Sequence, residues 1–117
     1  NGGSRNKAEA VKLKQMGVKA GIPDLCLPVP MGMYNGLYIE MKYDTGRLED
    51  SQKKMLKALA AAGHYCTVCY GAEEAIRVLQ EYINLKKIDA GKREDTMSEQ
   101  NLMIRKNGKV KCIIFKE

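Results

Sequence analysis

The chain has one histidine, His64, and four cysteines among 117 residues, which excludes a Cys2His2 zinc site and leaves any other to the convergence of the cysteines. Cys66 and Cys69 have a C-x-x-C spacing, but on a strand through YCTVCY an odd separation sends the two thiols to opposite faces. The bland expectation for Cys26, Cys66, Cys69 and Cys112 is therefore four reduced thiols buried in apolar strand interiors. No apolar run approaches the length that spans a bilayer, which excludes a transmembrane helix. A basic segment leading into an apolar one is also lacking, so a secretory leader is not expected and the location expected is intracellular. The first residue is Asn1 rather than Met, which hints at residues upstream. Internal repeats and extended low-complexity tracts are absent.

What is present fits one small domain with a single core, with hydrophobic residues making up 44% of the chain. Twenty Lys and Arg against fourteen acids give a formal charge of +6, which favours a polyanionic partner. Ser4 can cap a helix from about Arg5 to Met16, ended by Gly17. Arg5, Lys7, Lys12 and Lys14 on that helix, with Lys19 just beyond, make a basic surface whose simplest reading is a solvated face. After Pro23 the run DLCLPV alternates as a short strand, with Leu25, Leu27 and Val29 on one face and Asp24 and Cys26 on the other. LYIEMKY is the clearest strand, with Leu37, Ile39 and Met41 toward the core and Tyr38, Glu40 and Lys42 opposite. A loop of under ten residues joins the two, which suits an antiparallel pair.

A helix from about Asp50 to Ala62 follows, with Met55, Leu56, Leu59 and Ala62 as its buried stripe and Gly63 as its stop. YCTVCY is the next strand. A second helix from about Ala72 to Leu85 sets Ile76, Leu79 and Ile83 at helical spacing. LMIRKNGKVKCIIF reads as a hairpin about Asn107-Gly108, the pair best suited to a type I′ turn. The expected fold is α/β, a mixed sheet flanked by helices with an added C-terminal β-hairpin. Residues 1–85 are taken as the core, 86–101 as a polar connection and 102–117 as the hairpin.

Glu40 and Lys42 lie two apart on one strand face, roughly 7 Å along it. Alone they read as a surface ion pair. Asp24 changes the weighing, because it starts the strand that must lie beside Glu40 if the short loop closes an antiparallel pair. Asp24 and Glu40 would then offer hard oxygen ligands suited to Mg²⁺ or Mn²⁺, with the main-chain carbonyl of Met41 in reach. Lys42 would offset charge developing on a phosphate, the chemistry of phosphodiester hydrolysis. Gln52 can donate and accept at once and so steady Lys42 or the attacking water; otherwise it is a solvated first-turn residue.

GIPDL, then IEMK, then GRLEDSQ, with the opening NGGSRNKAEAVKLKQMGVKAG and a last helix opening GAEEA, resembles the virus-type replication-repair nuclease (VRR-NUC) domain of the PD-(D/E)xK superfamily. The likeness covers about residues 1–84 and is strongest to the stand-alone, phage-type members. It implies a restriction-endonuclease-like core and a Mg²⁺- or Mn²⁺-dependent endonuclease selective for branched DNA, four-way (Holliday) junctions above all, working as a homodimer inside the bacterial host. It further implies Asp24 and Glu40 as metal ligands, with Lys42 and Gln52 as the other catalytic residues. Members usually carry another glutamate on an upstream helix, which this sequence starts too late to include, and Glu9 is not assigned to that role. Their glutamine motif often has Ser before Pro where this chain has Glu49 and Asp50, which bears on the helix cap. Two other readings stand beside the nuclease: a non-catalytic DNA-binding module of the same fold, and an enzyme of this fold acting on RNA.

Overall fold

The computed structural model describes residues 20–86 and 101–114, and the expected basic helix with Arg5, Lys7, Lys12, Lys14 and Lys19 lies outside them, as does most of the polar connection. Five strands form one sheet in the order β1 (Leu25–Leu27), β2 (Leu37–Lys42), β3 (Tyr65–Tyr70), β4 (Asn101–Lys106) and β5 (Lys109–Ile114). The outer pairs, β1 with β2 and β4 with β5, are antiparallel, whereas β2 with β3 and β3 with β4 are parallel. Parallel neighbours need a crossover, and helix α1 (Asp50–Ala61) supplies the one from β2 to β3. Helix α2 (Ala72–Ile83) begins the next one. The C-terminal hairpin is thus no separate arm, because β4 extends the central sheet alongside β3.

The two helices cover opposite faces, and this gives the molecule two apolar layers. Leu37, Ile39 and Cys69 pack with Ala75, Val78 and Tyr82 of α2, while Cys66, Val68 and Leu102 pack with Leu56 and Ala60 of α1. Cys66 and Cys69 therefore do face apart, each in its own layer. Cys26 and Cys112, expected to be buried, are exposed because they sit on the edge strands β1 and β5. Leu25 and Val29 are also exposed, since β1 is only three residues long and neither described helix extends over its outer side.

Helix α2 is rotated from the expected phase, whereas α1 keeps Leu56 and Leu59 of its expected stripe against the sheet. Ile76 and Ile83 stand in solvent, and the stripe that faces the sheet is Ala75, Val78 and Tyr82, one residue away with the same spacing. Polar anchors decide between the two stripes. The Tyr82 hydroxyl donates to the Val29 carbonyl at 2.6 Å, and its ring meets Tyr65 edge-on. Glu74, also buried, pairs with Arg77 at 2.9 Å and accepts the Gly108 N–H of the hairpin turn at 3.1 Å. An ion pair between Arg105 of β4 and Glu81 makes a second tie between hairpin and α2. On α1 the buried residues are Leu56 and Ala60, whereas Ala62 lies beyond the last turn and is exposed.

The rotated phase of α2 predicts a contrast between neighbouring positions. Val78→Ala should lower stability by about 1.5–3 kcal/mol, and Ile76→Ala should change it by less than about 0.5 kcal/mol. Denaturant unfolding of the two variants checks this, and equal losses would mean that the helix is wrongly phased.

Candidate active site

The site is built where β1, β2 and the start of α1 meet. Gly21 has a φ of +85°, and a Cβ there would lie 2.4 Å from the Ser51 carbonyl oxygen of α1. Only glycine lets the chain pass so close to the helix and still turn into Pro23 and Asp24. The pairing of Leu25 with Ile39 and Cys26 with Tyr38, continued by one residue, sets Asp24 opposite Glu40. Side chains opposite each other in an antiparallel pair share a face. Asp24 is held there by its own acceptor, since its Oδ2 takes the Met41 N–H at 2.8 Å. A strand residue turns its N–H and C=O to the same side, so the Met41 carbonyl faces the same edge as Asp24.

The face opposite Ile39 is not solvent but the underside of α1, and Glu40 is only 3% exposed. Its Oε1 accepts from Gln52 Nε2 at 3.3 Å. Gln52 cannot turn its amide round, because its Oε1 already accepts the Glu49 N–H at 2.9 Å. The chain therefore caps α1 with Glu49 and Gln52 in place of a Ser-Pro start, and one glutamine both closes the helix end and grips Glu40. The other oxygen, Glu40 Oε2, is buried with no hydrogen-bond partner. Such an atom calls for a proton or a cation.

A family model described as the VRR-NUC domain matches residues 3–73, which include Asp24, Glu40, Lys42 and Gln52. The chain belongs to the VRR-NUC domain family. A solved structure described as a VRR_NUC domain protein is similar at 43% identity and a TM-score of 0.64, over 69% of this chain and 67% of that one. Comparison with curated proteins gave no match. The mixed sheet flanked by helices is an α/β fold consistent with a VRR-NUC nuclease core, and its β4–β5 hairpin lies beyond the residues that the family model matches.

Within this VRR-NUC site, burial pushes the Glu40 carboxyl up to about 7. The Asp24 carboxyl, close enough to share a proton with it, adds to the rise, and Lys42 opposes it. Two carboxylates and a main-chain carbonyl form a hard-oxygen donor set, the kind that suits Mg²⁺ or Mn²⁺. Among the described residues no group of three His, Cys, Asp or Glu side chains gathers to hold a metal. Of the residues singled out from sequence, Asp24, Glu40, Gln52 and the Met41 main chain meet directly, and Lys42 lies on the same strand face. Gly21 went unnoticed; its only signal was a glycine two residues before the Pro-Asp pair.

Two outcomes follow. Because the folded protein favours protonated Glu40, metal-free protein should lose stability as pH rises from about 4.5 to about 7. Glu40→Gln should flatten that part of the profile and leave the variant the more stable above neutrality, as read by thermal midpoint against pH. Gly21→Ala should cost about 1–3 kcal/mol by strain at a positive φ and displace the Asp24 turn from α1. Chemical-shift changes at the Met41 amide report that displacement, and an unmoved amide would contradict it.

Proposed function

We propose that this VRR-NUC protein is a Mg²⁺- or Mn²⁺-dependent endonuclease that hydrolyses phosphodiester bonds in branched DNA, with four-way junctions as its main substrate. The observation that carries the reading is a buried glutamate oxygen without a partner, set beside a second carboxylate on the neighbouring strand. Asp24, Glu40 and the Met41 carbonyl would hold the ion. When bound, it supplies Lewis-acid polarisation of a phosphoryl oxygen and offsets the negative charge of the substrate.

The remaining chemistry falls to this chain's own groups. Lys42 presents a cation on the Glu40 face, where it stabilises charge that builds on the phosphate and orients the attacking water by hydrogen bonding. Gln52 fixes the rotamer of Glu40, so the carboxylate need not reorganise as charge develops. The basic residues Arg5, Lys7, Lys12, Lys14 and Lys19 would contact phosphates, giving affinity that falls steeply with salt and little sequence preference. A homodimer suits this substrate, because two sites related by a two-fold axis can cut symmetric strands.

Incubation of labelled four-way junction and blunt duplex with Mg²⁺ or Mn²⁺ tests the proposal. Asp24→Ala and Lys42→Ala should each slow junction cleavage by about a hundredfold or more. In parallel, Mn²⁺ should raise the thermal midpoint of the parent and not that of Asp24→Ala. Variants that cut as fast as the parent would overturn the assignment, and tight junction binding without cleavage across a metal series would favour a non-catalytic binding module.

A further inference from the structure

The face that carries Glu40 and Lys42 does not end at α1. Register sets Tyr70 beside Lys42, Ile104 beside Val68 and Ile113 beside Leu102, so the same face runs on across the hairpin. Between α1, the Arg47–Leu48 segment and the hairpin lies an open groove of about 520 Å³. Its floor is apolar, made chiefly by Leu102, Ile104 and Ile113. Arg47, Lys53, Lys54 and Lys57 stand around it, and no acid is among its lining residues. Tyr70 lines the groove and lies one strand spacing, about 4.8 Å, from Lys42, while Lys53 directly follows Gln52.

Cations alone would attract any polyanion, and an apolar floor alone would attract any hydrophobic group. Together they select a polymer that offers negative charge and flat apolar faces in alternation, which is a DNA strand with unpaired bases. A duplex keeps its bases stacked inside and can give such a groove only phosphates. An acidic amphipathic peptide has similar chemistry, but nothing about it explains why the groove opens beside Lys42. We propose that this groove binds a short stretch of strand whose base pairs have opened at the branch point of the DNA, with phosphates at Lys53 and Lys54 and a base against Ile104 and Ile113. The proposal rests on the nuclease reading for the identity of its ligand, and it gives the hairpin a part in choosing substrates with open bases over continuous duplex.

The test is fluorescence anisotropy of the full chain in EDTA, where no cleavage intervenes. The probes are a short oligothymidine strand, an abasic strand of the same length and a peptide alternating glutamate with leucine. Oligothymidine should bind about tenfold more tightly than the abasic strand. Lys54→Glu should weaken oligothymidine about tenfold, whereas Lys86→Glu, an equal charge change at an exposed position beyond α2, should change it by less than about twofold. Ile113→Ser, with its thermal midpoint checked against the parent, should erase the preference for bases. Equal binding of the base-bearing and abasic strands, or equal losses from the two lysine variants, would overturn the proposal. Tighter binding of the peptide, lost in Lys54→Glu, would overturn it in favour of a protein partner. A parent that cuts junctions while its groove variants bind and cut unchanged sinks this proposal alone; a parent that cuts nothing but shows the expected binding sinks only the catalytic reading.

Discussion

The arrangement turns on one hydrogen bond and one register. The Met41 N–H donates to Asp24, and the antiparallel pairing of β1 with β2 then leaves Asp24 facing Glu40 from the adjacent strand. Burial, and after it the nearby Asp24 carboxyl, opposes ionisation of Glu40. A protein built only for stability would gain from replacing either carboxyl with an amide or an apolar group. A buried Glu40 set beside an exposed Asp24 is what a cation-binding role would require, and carboxyls perturbed in this way are commonly where function lies.

The rest of the fold can be understood as support for that point. α1 shields Glu40 from water and, through its cap, delivers Gln52 to it. Gly21 permits the preceding segment to lie against α1 so that Asp24 arrives at the right height. On the far face, α2 is fixed by Tyr82 and Glu74 and packs against β2 and β3 from behind. The hairpin is tied to α2 through Gly108 and Arg105, and its other face floors the groove beside Lys42. The candidate site residues and the groove thus share one face of the sheet, and α2 covers the opposite one.

The antiparallel pairing of β1 with β2, which sets Asp24 opposite Glu40, was legible in the sequence because alternation and a short loop leave few choices, whereas the place of the hairpin in the sheet was not. Leu37, Ile39 and Met41 against Tyr38, Glu40 and Lys42 is a period-two pattern, and a loop of under ten residues forces the neighbour. The side of the helices was less legible. In α2, Ile76 and Ile83 offer as good an apolar stripe as Val78 and Tyr82, and periodicity cannot rank two stripes of equal spacing. The choice fell to the tyrosine hydroxyl and a buried glutamate, whose partners lie on distant segments. Glu40 itself showed the same limit. An acid on the polar side of an alternating strand looks solvated until a helix from later in the chain is laid over it.

The most direct measurement is anomalous diffraction from crystals soaked in Mn²⁺. A single strong peak within coordination distance of both the Asp24 and Glu40 carboxylates is the predicted result. Density that places the two carboxylates apart, with the ion bound elsewhere or not at all, would contradict the account.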